Sequence, residues 1–174
     1  KDAWQKLLRE ARGYFIETAK QATSEYQDPA LVYLVRVEIE LEQWDDAVKA
    51  AAAARAAWAT DAGKRKVADN PSLAGMRRAQ AAAADYWEAR AQVYAGRPDE
   101  ALKLLDGFAT RHPDGADYGP IALGLRCDVL AEQGKVVEAE AAYRDLLTKA
   151  PDYPKIPSIV AKLAKHYQET SKEI

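Results

Sequence analysis

Apolar residues recur at intervals of three and four along almost the whole chain, which is the spacing of amphipathic helices. In the first predicted helix, residues 3–22, the apolar positions are Trp4, Leu7, Leu8, Ala11, Phe15 and Ala19. No segment shows the strict alternation of apolar and polar residues that indicates a half-buried strand. The pattern therefore predicts an all-helical fold.

Proline, glycine and polar cap residues divide this pattern into successive helices. Asp28-Pro29 and Asn70-Pro71 each indicate a cap followed by proline at the first helical position. Gly63 is interpreted as a helix terminator, and residues 61–71 (DAGKRKVADNP) as a loop. We expect one continuous unit over residues 1–174. Its predicted parts are a leading helix at 3–22, helix hairpins at about 28–60, 72–111 and 118–149, and a last helix at about 155–170.

Two segments of the chain repeat the same order of residue types. Each has a small residue, a glycine seven positions later, an alanine five after that and a proline twelve further on. These residues are Ala89, Gly96, Ala101 and Pro113 in one segment, and Cys127, Gly134, Ala139 and Pro151 in the other. The prolines are 38 residues apart, and repetition at such a period indicates a helical solenoid.

These segments resemble tetratricopeptide repeats, most clearly over residues 84–151 and more weakly over 28–167. Leu105 and Tyr143 occupy the position that is large and apolar in that family. The first unit offers Val35 and Ala47 at the small positions, whereas Glu42 stands where the glycine would be. The resemblance implies a right-handed superhelical solenoid of antiparallel helix hairpins.

The first two units are separated by more chain than the second and third. Ala47 and Ala101 are 54 residues apart, whereas Ala101 and Ala139 are 38 apart. We attribute the difference to longer helices and to the 61–71 segment. Alanine tracts within 50–57 and 79–84 flank that segment. They are expected to face each other as a tight seam, although high helix propensity alone would also explain them.

Composition and charge narrow the class of function. The chain of 174 residues is 48% hydrophobic and carries a net charge of −2, which favours a globular protein without general affinity for nucleic acid or anionic membranes. No apolar run reaches the ~18 residues of a membrane span. The basic residues Lys64, Arg65, Lys66, Arg77 and Arg78 are interpreted as a solvated loop and helix start.

No catalytic, cofactor-binding or metal-ligating residue is predicted. His112 and His166 are the only histidines, and neither belongs to a metal-binding motif. Cys127 aligns with a packing position and is expected to be a buried, inert thiol. The four tryptophans, Trp4, Trp44, Trp58 and Trp87, are assigned to core packing. We therefore do not expect an enzyme, and no cofactor is implied.

The resemblance places a partner-binding groove along the first helix of each hairpin. Position by position, its residues would be Val32, Arg36, Glu40, Tyr86, Arg90, Tyr94, Asp128, Glu132 and, from the last helix, Lys162. Arg36 and Arg90 could bind a carboxylate through paired hydrogen bonds. The alternative is that these side chains make intramolecular contacts only.

One subgroup of the family grips the C-terminal carboxylate of chaperone peptides with a lysine and an asparagine. Val32 and Arg36 stand at those two positions here. This departure argues against binding of chaperone tails.

The leading hypothesis is a protein–protein interaction scaffold or adaptor that binds a protein or peptide segment in the groove. One alternative is a structural or self-associating segment of a longer solenoid, with homo-oligomers possible. Another is a docking or regulatory domain of a multidomain enzyme. The chain begins at Lys1 and is expected to be a piece of a longer protein. Its abundant alanine and arginine suggest a bacterial source, and both cytoplasm and periplasm remain open.

Overall fold

The computed structural model describes residues 2–22, 24–113 and 117–170. This part of the chain contains ten helices and no strand, which confirms the all-helical prediction. They are α1 Asp2–Ala19, α2 Gln27–Glu40, α3 Trp44–Ala59, α4 Asp61–Asp69, α5 Ser72–Tyr94, α6 Pro98–Leu105, α7 Phe108–Arg111, α8 Gly119–Glu132, α9 Val136–Lys149 and α10 Ile156–Thr170.

Most helices pack against a neighbour along the chain. Helices α2 and α3, α5 and α6, and α8 and α9 pack as pairs, and the first helices of successive pairs also touch, α2 on α5 and α5 on α8. Helix α1 packs on α2, and α10 packs on both α8 and α9. Stacking of neighbouring helix pairs is the architecture of a helical-repeat solenoid.

The first helix of every pair ends in the same backbone turn. The second residue after each of these helices has a positive φ angle: 60° at Glu42, 72° at Gly96 and 71° at Gly134. The next backbone nitrogen donates to the carbonyl five residues earlier, at 2.8–2.9 Å in all three turns. Glu42 thus adopts the left-handed conformation of the two glycines, which costs a residue with a Cβ about 1–2 kcal/mol.

We expect Glu42→Gly to stabilise the protein by roughly 0.5–1 kcal/mol, because glycine relieves the left-handed strain although it loses more chain entropy on folding. Urea unfolding measures the change. Glu42→Ala is the control, since alanine removes the same charge but keeps the Cβ. A glycine variant no more stable than the alanine variant would contradict the strain.

The segment predicted to be a loop at 61–71 is largely helical, so that prediction is wrong. Helix α4 covers Asp61–Asp69, and Thr60 caps it by accepting a hydrogen bond from the Gly63 nitrogen at 3.0 Å. Gly63 therefore lies in the first turn of a helix instead of terminating one. A Cβ at Gly63 would lie 2.4 Å from the carbonyl oxygen of Ala57 and 2.9 Å from that of Trp58. The chain needs glycine here because α4 turns back closely on the end of α3.

Gly63→Ala should destabilise the protein by about 1–3 kcal/mol, since the added methyl group meets backbone that cannot move aside easily. Gly13 is the matched control: it lies in α1, and a Cβ there would meet nothing within 4 Å. Gly13→Ala should therefore stabilise by up to about 1 kcal/mol through helix propensity. Thermal unfolding of both variants tests this, and equal effects would contradict the close approach.

Two of the basic residues interpreted as a solvated cluster, Lys66 and Arg77, are partly buried ion-pair partners, which corrects the interpretation for these two. Lys64 and Arg78 are exposed, and the side chain of Arg65 lies outside the described residues. Asp28 is not a helix cap, because α2 begins at Gln27; its buried carboxylate accepts from Arg77 of α5 at 2.8 Å. Lys66 of α4 lies 3.5 Å from the same carboxylate. Arg77 also donates to the carbonyl of Gly63 at 2.7 Å. These contacts fix the inserted helix α4 against the first hairpin.

The second helix of the hairpin predicted at about 72–111 is interrupted. Helix α6 ends at Leu105, Gly107 takes a φ of 60°, and the short α7 begins at Phe108. The buried Phe108 ring shares a core cluster with Leu105 and with Ala122 of α8. Because of this break, the Phe108 side chain points into the interface between the second and third hairpins.

Longer helices and α4 account for the wide spacing of the first two units. Helix α5 has 23 residues where α2 and α8 have 14 each, and α4 adds nine more. The buried alanines of the two tracts join different clusters. Ala50 and Ala51 of α3 cluster with Ala91, whereas Ala83 and Ala84 cluster with Val32. The tracts thus do not form the single seam that was expected.

Helix α1 buries less of its apolar stripe than the spacing predicted. Leu8 is buried, and Phe15 stacks on Tyr33 of α2 with ring centroids 5.5 Å apart. Trp4 and Leu7 are more than half exposed. The assignment of Trp4 to the core is therefore wrong, because α1 packs against a neighbour on one side only, among the described residues.

Candidate functional site

Two adjoining cavities follow the first helices of the hairpins, and together they form what we call the groove. The first has a volume of about 170 Å³ and is lined by α2 and α5, with Arg36 and Trp87 in its wall. The second has a volume of about 230 Å³ and is lined by α5, α8 and the connection before α10. Tyr86 joins the two: its ring lies 5.1 Å from that of Trp87 and 5.6 Å from that of Tyr118.

The structure brings most of the predicted groove residues together. The second cavity is lined by five of them: Tyr86, Arg90, Tyr94, Asp128 and Glu132. Val32 and Arg36 line the first cavity, although Val32 is mostly buried in the core. Lys162 contacts the end of the second cavity, and Glu40 is exposed on α2 but lines neither cavity. Their role in binding a partner remains a prediction.

Trp87 lies at the centre of the groove, where two arginines stack on its ring. The guanidinium carbon of Arg36 is 5.4 Å from the ring centroid and that of Arg90 is 5.0 Å from it. Both distances are within the range of cation–π attraction. Sequence reasoning assigned Trp87 to the core. The signal that could have found it is Arg90 three positions later, which shares its helix face.

Arg90 is held in place by aromatic side chains. Its Nη2 donates to the hydroxyl of Tyr94 at 2.6 Å, and the Tyr94 ring lies 4.9 Å from that of Trp44. Burial raises the pKa of Tyr86, so its hydroxyl stays protonated at neutral pH. Among the described residues, Arg36 and Arg90 contact aromatic groups and form no ion pair.

Tyr153 is a groove residue that sequence reasoning missed. It lies in the connection between α9 and α10 and packs directly on Gly124 of α8, where a Cβ would be 2.5 Å from the tyrosine ring. Burial raises the pKa of Tyr153 to about 12. A glycine in the middle of a helix is the sequence signal for such a close approach.

The far end of the groove is acidic and internally paired. Lys162 of α10 donates to Asp128 at 3.0 Å and to Glu132 at 3.1 Å. Although burial lowers it, the hydrogen bonds to Asp128 and Glu132 give a net rise in the pKa of Lys162. The two carboxylates are therefore already shared with a cation of the same chain.

Comparison with known families supports the repeat architecture. Residues 92–163, which run from the end of α5 into α10, match the tetratricopeptide repeat family model. This part of the chain is similar to tetratricopeptide repeats. No curated protein and no solved structure matches the chain.

One cluster of charged side chains beside residues 92–163 resembles a catalytic site in its residue types. Nε2 of His112 lies 2.9 Å from Asp85, whose other carboxylate oxygen is 3.0 Å from Arg55. Arg55 in turn lies 2.5 Å from Glu88. These side chains are mostly buried and connect α3, α5 and the end of α7, so we interpret the cluster as a structural cross-link.

The thiol of Cys127 has little reactivity. Cys127 is fully buried, and burial raises its pKa to about 12, which keeps the thiol protonated as expected. Among the described residues, no three His, Cys, Asp or Glu side chains form a group that could hold a metal ion. The side chain of His166 lies outside the described residues. No described helix is long and apolar enough to cross a membrane.

The buried Glu88 should make stability depend on pH in a definite direction. Burial raises its pKa above the ordinary 4.5, against the opposing effect of Arg55. The folded state therefore binds this proton more tightly than the unfolded state, and the contribution of Glu88 to stability falls as pH rises above about 4.5. Glutamine does not titrate, so the stability of Glu88→Gln relative to the unmodified protein should increase with pH.

Urea unfolding from about pH 4 to about pH 7 measures this difference. Glu138→Gln, at an exposed position of α9, controls for the loss of one negative charge. A Glu88→Gln difference that is flat across this range, or that declines with rising pH, would contradict the raised pKa.

Proposed function

We propose that this protein is an interaction scaffold that holds an extended segment of a partner protein in its groove. Tetratricopeptide repeats generally mediate protein–protein interactions. The observation that carries the proposal is the convergence of Arg36, Trp87, Arg90 and Tyr94 on one surface formed by α2 and α5.

Exposed side chains in the groove offer contact area that folding has not used. Tyr33 is 50% exposed, Met76 45% and Tyr94 49%, and all three line the cavities. Tyrosine and methionine suit protein recognition because they combine large apolar area with a polar tip or a flexible chain. Their burial against a partner would supply the hydrophobic part of the binding free energy.

The shape of the groove suits an extended peptide. Successive side chains of an extended chain point to opposite sides, so alternate residues of a bound segment could enter the two cavities. Cavities of about 170 and 230 Å³ have room for single side chains, whereas drug-sized ligands occupy about 300–1,000 Å³. The proposal therefore favours a peptide over a small-molecule substrate.

The ionisable groups of the groove support binding and not catalysis. The raised pKa values of Tyr86 and Tyr153 keep those phenols neutral. A general acid or base needs a pKa near the working pH. We accordingly propose a non-enzymatic role.

Blocking the groove should abolish peptide binding. A display library of random peptides of about 12 residues is selected on the immobilised protein, and enriched peptides are then tested on two variants. Ala79→Trp places an indole at the exposed wall of the first cavity. We expect it to weaken binding at least tenfold, because it fills the space that a peptide side chain would occupy.

Ala141→Trp is the matched control, since Ala141 is exposed on α9 and lines neither cavity. The indole N–H signal of Trp87 in NMR spectra should shift on peptide addition more than that of Trp58, whose Nε1 is buried. Equal loss of binding in both variants, or failure to enrich any peptide, would overturn the proposed function.

A further inference from the structure

The charges of the groove are opposite to those of the chain as a whole. Arg36, Arg90 and Lys155 are its lining cations; its lining carboxylates, Asp128 and Glu132, are both bound to Lys162. Counting Lys162, the described groove carries four cations and two anions, whereas the chain has a net charge of −2. The groove thus has a local excess of positive charge that would attract an acidic segment.

Arg36 and Arg90 lack the carboxylate partners that the buried charges of this chain have. Asp28 is paired with Arg77 and Lys66, and Glu38 accepts from Arg12 at 2.6 Å. Around Arg36 and Arg90, the described residues supply aromatic rings and the Tyr94 hydroxyl instead. Guanidinium groups prefer carboxylate ligands, which they can bind through paired hydrogen bonds. The ring positions the two cations without neutralising them.

The two guanidinium groups are close enough to act on one short segment. Their carbon atoms lie 5.4 and 5.0 Å from the centroid of the Trp87 ring. The two carbons are therefore at most about 10 Å apart, which is the sum of these distances. Side chains two residues apart on an extended chain are separated by about 7 Å and point the same way. A single extended segment could therefore place one carboxylate on each arginine.

The position of the pair favours carboxylates within a chain over one at its end. A cavity lies on each side of Trp87, one along α2 and one along α8. A segment bound across the arginines can continue in both directions, as an internal segment would.

We propose that the groove selects internal acidic segments of proteins, in which Asp or Glu side chains bind Arg36 and Arg90 across Trp87 and a neighbouring apolar side chain enters a cavity. This inference rests on the proposed function of the groove and specifies its partner. Nucleic acid is the less favoured ligand, because it needs a positively charged track along the whole bound backbone, whereas Asp128 and Glu132 interrupt the cations that line this groove.

The test uses the same peptide library, with both peptide ends blocked so that no terminal carboxylate is present. Asp and Glu should be enriched among the selected peptides. The double variant Arg36→Glu/Arg90→Glu should weaken their binding by at least about tenfold, the usual scale for losing hydrogen bonds to charged groups. It should also shift the selection toward Lys and Arg.

Lys103→Glu/Arg144→Glu is the matched control, because it changes the net charge equally at exposed positions of α6 and α9. It should leave binding within about twofold, since exposed ion pairs contribute little. Binding of acidic peptides to the unmodified protein should also weaken as salt rises from about 50 to about 500 mM, as screening of the arginines requires.

The outcomes separate this inference from the proposed function. Peptides that Ala79→Trp blocks, but that lack acidic enrichment or tolerate the double reversal, would overturn the acidic preference and leave the groove as a binding site. Preference for a free C-terminal carboxylate over the blocked peptide would overturn the internal placement. Tighter groove binding of a fluorescent oligothymidine than of acidic peptides would replace the protein partner with nucleic acid.

Discussion

The structure depends on the close approach of the two helices in each hairpin, which small buried residues permit. Ala47, Ala89, Ala101, Cys127 and Ala139 are completely inaccessible to solvent. With so little side chain between them, neighbouring helix backbones come close, and an added methylene would force them apart. The same packing turns the opposite faces of α2, α5 and α8 toward the groove.

Buried charged side chains and charged side chains in the groove have different kinds of partner. Asp28, Glu38 and Asp85 lie at helix interfaces and have cationic partners within the chain, as buried carboxylates require. Arg36 and Arg90 face the groove and contact aromatic rings. The two groove arginines can therefore still gain free energy by binding a carboxylate, whereas the buried carboxylates already have their partners. The proposal of an acidic partner follows from this contrast.

Repeat register explains why much of the candidate site could be found without a structure. Once Gly96 and Gly134 are aligned, groove-facing positions follow by counting, and five of the nine predicted residues line one cavity. Even the mismatch at Glu42 was located correctly, because its backbone takes the glycine conformation. Trp87 and Tyr153 were not predicted as groove residues, because their exposure depends on what packs beside them. Tyr86 and Tyr118 pack around Trp87, and Tyr153 packs on Gly124.

The sequence by itself determined the helical class, the repeat and the approximate helix bounds, because periodicity, proline and glycine act over a few residues. Only the tertiary structure decided that residues 61–69 are helical, that Gly107 interrupts the hairpin predicted at 72–111 and that Asp28 is an ion-pair partner. Each depends on groups distant in the chain, such as Arg77 reaching Asp28 across 49 positions. Local spacing carries no information about such contacts; packing of the hairpins creates them.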